Sequence, residues 1–151
     1  MMKTSPILFL IDDDAVDQEI FRRALAAEGI NVDLLVIGAG HQAASRVKVH
    51  LSAKGPDRAS LVMLDLNMPG ENGFEVLTRL RADEETRFLP VVVFTTSSDR
   101  DDVSRAYALG ASSYVVKPGS FAELRRTLRI IVDYWFDVTT GTSARGPGRL
   151  A

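Results

Sequence analysis

The chain contains no cysteine, which excludes disulfides, thiol nucleophiles and cysteine-ligated zinc. It has two histidines, His41 and His50, too few for a multi-histidine metal centre. No apolar run approaches the roughly 20 residues that cross a bilayer. The run Ile7–Ile11 is broken at once by Asp12-Asp13-Asp14, and no small-residue cleavage site follows, so the N-terminus does not read as a signal peptide. The expectation is a cytoplasmic protein that does not enter a membrane. The net charge of −2 supplies no global attraction to nucleic acid or to an anionic lipid surface. The phosphate-binding P-loop, the GxSxG nucleophile elbow and the HExxH zinc motif are also absent.

What is present is a chain of 151 residues, 46% hydrophobic and 25% charged. That suits one domain with a core that needs no covalent or metal staple. Short apolar runs alternate with segments of helical spacing. Residues 7–11, 32–37, 61–64, 90–94 and 114–116 read as strands. Residues 15–28, with Val16, Ile20, Ala24 and Ala27 in helical register, read as a helix closed by Gly29. Residues 42–52, a stretch beginning near Phe74, a segment from Asp99 or Asp101 to Leu109, and residues 121–138 read as the other helices. Strand and helix alternate five times, which argues for a parallel sheet covered on both faces. Residues 54–57 read as a surface loop. Residues 139–151 are mainly Gly, Ser, Thr, Arg and Pro and read as a disordered tail behind a domain spanning 1–138.

In such a sheet ligands bind beyond the carboxyl ends of the strands. The first strand ends in Asp12, Asp13 and Asp14, the third in Asp65, the fourth in Thr95 and Thr96, and the fifth in Lys117-Pro118. A lone aspartate there is usually a helix cap, which is the expectation for Asp14. Asp12, Asp13, Asp65 and Lys117 together are harder to assign to chance. Carboxylates from neighbouring strands would repel unless offset by positive charge. Lys117 supplies one such charge, and a hard divalent cation such as Mg²⁺ suits a site of few carboxylates plus phosphate oxygens. An aspartate can itself attack phosphorus and form an aspartyl phosphate, with Lys117 and the Thr95 hydroxyl holding the phosphoryl oxygens.

Residues 7–15 (ILFLIDDDA), 62–70 (VMLDLNMPG) with Asn72-Gly73, 90–96 (PVVVFTT) and 114–118 (YVVKP) resemble the four signature blocks of bacterial response-regulator receivers, the chemotaxis-regulator-like family. The resemblance runs from about Ile7 to about Phe136. It implies a flavodoxin-like, doubly wound five-stranded parallel sheet, (βα)5, with strand order 2-1-3-4-5. It implies that Asp65 accepts a phosphoryl group from a sensor histidine kinase in a two-component phosphorelay. Asp13 resembles the direct Mg²⁺ ligand and Asp12 the residue acting through metal-bound water, while the Asn67 carbonyl resembles a further ligand. Thr95 resembles the hydroxyl residue of the switch, Lys117 the phosphate-pairing lysine, and Tyr114 the aromatic switch. The Lys117–Pro118 bond is usually cis in the family. The stretch from Asp13 to Asp65 is several residues longer than common, with the excess in residues 47–60. That length resembles the stand-alone regulators that partner bacterial phytochrome kinases. With no attached output domain expected, signalling would run through protein–protein contact. The role is that of a phosphoacceptor, not of a metabolic enzyme.

A second reading takes Gly38-Ala39-Gly40 through Ala43 as GxGxxA after a strand, a Rossmann-like dinucleotide fingerprint with Asp65 as the following acidic residue. It leaves Asp12, Asp13, Asn67, Thr95 and Lys117 unexplained. In the last helix, Phe121, Leu124, Leu128, Ile131 and Trp135 are expected to face the sheet. Ile130, Tyr134 and Phe136 broaden the apolar arc and are expected to form a homodimer contact.

Overall fold

The computed structural model describes residues 5–54 and 58–140, with the Lys54 side chain left aside. Five strands form one parallel sheet: β1 (Ile7–Ile11), β2 (Asp33–Ile37), β3 (Ser60–Leu64), β4 (Val91–Thr95) and β5 (Ser113–Val116). Their order is β2-β1-β3-β4-β5. Five α-helices connect or follow them: α1 (Ala15–Ala27), α2 (Gly40–Lys54), α3 (Gly73–Ala82), α4 (Arg100–Ala108) and α5 (Phe121–Val132). The expected fold class and strand order are therefore observed.

The continuous apolar runs form strands because both faces of the sheet are covered. In β1, Ile7, Phe9 and Ile11 point to a core shared with α2 and α3 through Val47, Leu51, Leu77 and Leu80. The alternate residues Leu8 and Leu10 join Phe21, Leu25, Leu124 and Leu128 of α1 and α5 on the other face. The period of two along a strand thus feeds two cores at once. Strand ends and helix starts are set by caps: Asp14 accepts from the Val16 and Asp17 N–H groups, Asn72 from Glu75, Asp99 from Asp101 and Ser120 from Glu123. Asp14 is thus the helix cap expected of it. On the opposite edge, Arg125 donates to the Ala27 carbonyl and the Glu28 carboxylate at 3.3 and 2.9 Å, and Arg129 donates to the Glu28 carbonyl. These bonds close the α1 C-terminus, where carbonyls lack helical partners and favour cations.

Three expectations are corrected. Val16 and Ile20 are exposed, and α1 packs through Phe21, Ala24 and Leu25 instead. Val16, Ile20 and the likewise exposed Ala27 share one stripe of α1, which is turned aside from the buried stripe of Phe21, Ala24 and Leu25. Phe121, in the first turn of α5, is exposed as well. The last helix does not run as one α-helix to Val138, because residues Asp133–Val138 form a π-helical turn. The wider turn shifts the apolar face, so that Phe136 packs beside Trp135 on the α1/α5 core while Ile130 and Tyr134 remain 61% and 50% exposed. Phe136 is therefore a partly buried core residue rather than an open contact. Thr139 closes this turn by donating to the Tyr134 and Trp135 carbonyls. The expected tail beyond residue 140 and the loop at 55–57 lie outside the described residues.

The excess length between Asp13 and Asp65 goes partly into α2, which runs on to Lys54. Its first residue, Gly40, answers the dinucleotide reading. A Cβ there would lie 2.1 Å from the Glu71 carbonyl oxygen and 3.3 Å from Met68. The space a pyrophosphate would need is filled by the loop after β3, and Gly40 is small for packing. Strand β2 also lies at the sheet edge, away from the switch point between β1 and β3. Glycine-to-alanine at a helical position ordinarily favours the helix by about 1 kcal/mol. Here Gly40→Ala is expected to destabilise by about 1–3 kcal/mol through overpacking, as measured by urea denaturation. A variant as stable as the parent would overturn the packing account.

Candidate functional site

The sheet order brings the ends of β1 and β3 together. Ile11 is in register with Leu64, and the Asp65 N–H donates to the Ile11 carbonyl at 2.9 Å. The next residues, Asp12 and Asp65, therefore emerge side by side at the topological switch point. Oxygens of Asp12, Asp13 and Asp65 lie within 4.8 Å of one another. Asp12 and Asp65 are buried, and Asp13 is exposed at the mouth. The Asp65 backbone is wedged from below by α3: a Cβ at Gly73 would lie 2.3 Å from the Asp65 carbonyl oxygen. This explains why glycine follows the Asn72 cap.

Strand β5 is two strands away, yet Lys117 spans the gap. Its N–H donates to the Thr95 carbonyl at 2.7 Å, which sets where the side chain starts. Its Nζ then lies 2.9 Å from Asp12, 2.9 Å from Asp17 and 3.4 Å from Asp65. The Lys117–Pro118 bond is trans, since all described peptide bonds are, so the cis expectation is corrected. Trans is the lower form of an X–Pro bond by about 0.5–1 kcal/mol, and with it the turn already delivers the ammonium to the carboxylates.

Burial works against the Lys117 ammonium, but hydrogen bonds to Asp12 and Asp17 and the charges of Asp12 and Asp65 outweigh it. The lysine is held above its ordinary pKa. Burial likewise pushes the Asp12 carboxyl up, and its bonds to Lys117 and to the Asp14 N–H offset this only in part. Asp12 and Asp65 are both buried against one ammonium, so the cleft holds more buried negative charge than Lys117 neutralises. Two carboxylates at this separation repel by about 1 kcal/mol in water and about 3–4 kcal/mol in a drier cleft. Hard carboxylate oxygens short of positive charge fit a divalent cation of the oxygen-preferring class.

The switch candidates are close by. Thr95 is fully buried, and the Asn67 side-chain amide donates to its hydroxyl at 3.4 Å. Asn67 also turns its backbone N–H toward the Asp65 carboxylate at 3.2 Å. Tyr114 packs on the cluster of Leu66, Phe74, Val93 and Ala106, and its hydroxyl donates to the Ser97 carbonyl at 2.8 Å. Ser97 in turn donates to Asp102 of α4 at 2.6 Å. Every residue expected at the site except Ile130, Tyr134 and Phe136, which lie on the last helix, is thus gathered at one edge. Two participants were not anticipated. Asp17 binds Lys117, and the Gln18 amide donates to the Asp12 carbonyl at 2.6 Å. An aspartate in the first turn of a helix reads from sequence only as a dipole partner. Its spacing of four from Asp13 was the available signal.

The response regulator receiver domain profile matches residues 8–129. This chain belongs to that family. Among relatives of the receiver, the probable methanogenesis regulatory protein FilR2 of Methanothrix harundinacea is 35% identical over 129 residues, 85% of this chain and 83% of that protein. The response regulator Rcp1 of Synechocystis sp. is 28% identical over 134 residues, 89% and 91% of the two chains. The solved structure of the Mn²⁺-bound form of Rcp1 superposes with a TM-score of 0.73 at 27% identity, covering 89% of this chain and 97% of that one. The phosphorylated cyanobacterial phytochrome response regulator RcpA gives 0.77 at 26% identity, covering 91% and 98%. The chain is thus a receiver domain similar to phytochrome response regulators, and the dinucleotide alternative has no support.

The burial of Asp12 in the receiver has a measurable consequence. The folded-state pKa of Asp12 lies above the ordinary 3.8, so the fold favours the neutral carboxyl. That contribution is complete below the ordinary value and lost as pH rises through the folded one. In metal-free protein at neutral pH, Asp12→Asn is therefore expected to raise the melting temperature. The gain should shrink as pH falls through the raised folded pKa toward the ordinary 3.8. Scanning calorimetry across pH checks this. A variant less stable than the parent at neutral pH would contradict it.

Proposed function

We propose that this receiver is the phosphoacceptor of a two-component phosphorelay, taking a phosphoryl group onto Asp65 from the phosphohistidine of a sensor histidine kinase. The observation that carries the reading is a carboxylate at the centre of the cleft. It has two further carboxylates within 4.8 Å and the Lys117 ammonium 3.4 Å away. An Asp65 oxygen attacks phosphorus, the P–N bond to the imidazole breaks, and the imidazole nitrogen keeps the electron pair. Lys117 and the Thr95 hydroxyl hold the phosphoryl oxygens. Asp12, Asp13, Asp65 and the Asn67 carbonyl are the residues that would hold Mg²⁺, which when bound neutralises charge developing on those oxygens. The charge imbalance of the cleft supports a divalent ion, as does the Mn²⁺ named in the Rcp1 structure.

Phosphorylation is a signalling step, with self-phosphorylation and dephosphorylation as the only chemistry. Drawing Thr95 toward the phosphoryl group loosens its contact with Asn67. Tyr114, tied to the Ser97 carbonyl two residues past Thr95, then shifts with the α4 entrance. The altered face changes affinity for a partner protein. The likeness to phytochrome response regulators supports a bacteriophytochrome as the kinase. The cytoplasm suits such a partner, and among the described residues no helix is long and apolar enough to cross a membrane. The slight net negative charge argues against direct binding of nucleic acid.

Exposed Ile130 and Tyr134 flank a shallow groove of about 360 Å³ between α5 and β5, with Ser112 and Ser113 opposite. This apolar strip supports a homodimer through α5 and β5. Two outcomes test these readings. Incubation with acetyl phosphate and Mg²⁺ should add one phosphoryl group by mass spectrometry, and Asp65→Asn should add none while keeping the circular dichroism of the parent. Light scattering should give a dimer that Ile130→Glu shifts to monomer, and a monomeric parent with and without acetyl phosphate would remove the dimer.

A further inference from the structure

An ammonium has three N–H donors. All three on Lys117 face carboxylates, those of Asp12, Asp17 and Asp65. The Asp17 contact differs in kind from the other two. It comes from the first turn of α1 rather than from a strand end. Its backbone is pinned there, because the Asp17 N–H donates to the Asp14 cap at 3.1 Å. Its side chain is 41% exposed, against 2% for Asp12 and 10% for Asp65. The distances show which way the ammonium is drawn: 2.9 Å to Asp17 but 3.4 Å to Asp65.

Two consequences follow from these numbers. A phosphoryl oxygen arriving on Asp65 can hydrogen-bond to Lys117 only by displacing one of the three carboxylates. Asp17 is the one that gives way at least cost, since water can rehydrate a half-exposed carboxylate but not the buried Asp12. We propose that Asp17 is a positioning residue that holds Lys117 in a resting arrangement and competes with the phosphoryl group for it. Asp17 touches neither the metal cluster nor the reacting atoms and acts through Lys117. It thereby sets how tightly the site binds a phosphoryl group, a role that rests on the phosphoacceptor reading of Asp65. The plain alternative is an acidic residue that only stabilises the N-terminus of α1.

The test uses the full chain with Mg²⁺ and titrates beryllium fluoride, a phosphoryl mimic for carboxylates, followed by fluorine NMR. Asp17→Asn is expected to bind the mimic about two- to fivefold more tightly, the range of a partly exposed ion pair. The gain should shrink as salt approaches about 1 M, where such pairs are screened. Asp17→Glu, which keeps the charge, should restore the parent affinity. Asp17→Ser serves as a second neutral variant should Asp17→Asn not fold. Equal affinity in the parent and the neutral variants, with only a stability change, would leave Asp17 as a helix-end acid and overturn the proposal. Weaker binding in the neutral variants would overturn it as well. A parent that binds no mimic and gains no phosphoryl group from acetyl phosphate would remove the phosphoacceptor reading itself, and the proposal with it.

Discussion

Asp12, Asp17 and Asp65 share the ammonium of Lys117, and the rest of the site is arranged around that shortage of positive charge. Two of the carboxylates come from adjacent strands because β3 crosses to the far side of β1 from β2, which places the ends of β1 and β3 at the switch point. The ammonium comes from β5, beyond β4, and its reach depends on the backbone bond from Lys117 to Thr95. Burial keeps the charges close and dry. It raises the Asp12 pKa even though a lysine lies against it. Two buried carboxylates facing one ammonium are the unfavourable contact that added positive charge would offset.

The scaffold around the cleft is closed by apolar packing where the charges sit and by polar contacts in the segment after β4. Both faces of β1 and β3 are filled by apolar side chains, and α3 is seated against the Asp65 backbone with no room for a Cβ at Gly73. Close packing of this kind resists small displacements. The segment after β4 is held differently, by single hydrogen bonds from Tyr114 to Ser97 and from Ser97 to Asp102. Each is worth on the order of 1 kcal/mol net.

The apolar surface follows the same division. Near the cleft, Val16, Ile20 and Phe121 are exposed, and Ile20 and Phe121 border a cavity of about 250 Å³ beside Lys117. At the far end of α5, the π-helical turn draws Phe136 into the core and leaves Ile130 and Tyr134 outside. One helix thereby offers apolar contact near both ends while Leu124, Leu128 and Ile131 are committed to the sheet.

Sequence alone determined the alternation of strands and helices, because a strand buried on both faces must be continuously apolar, and Ile7–Ile11 and residues 61–64 are. It also determined that Asp12, Asp13, Asp65, Thr95 and Lys117 stand at or just past the end of an apolar run. Tertiary structure decided what periodicity could not. Gly38-Ala39-Gly40 satisfies a dinucleotide pattern locally, and only the Glu71 carbonyl packed against Gly40 shows the space to be taken. The exposure of Val16 and Ile20 depends on which stripe of α1 meets the sheet, a choice settled by the Phe21, Ala24 and Leu25 packing. The re-phasing at Phe136 depends on a π-helical turn that helical spacing does not reveal. The bond from Lys117 to Asp17 joins residues 100 apart in sequence. Local sequence carries propensity and period, whereas a contact across that separation exists only once five strands have been laid in order.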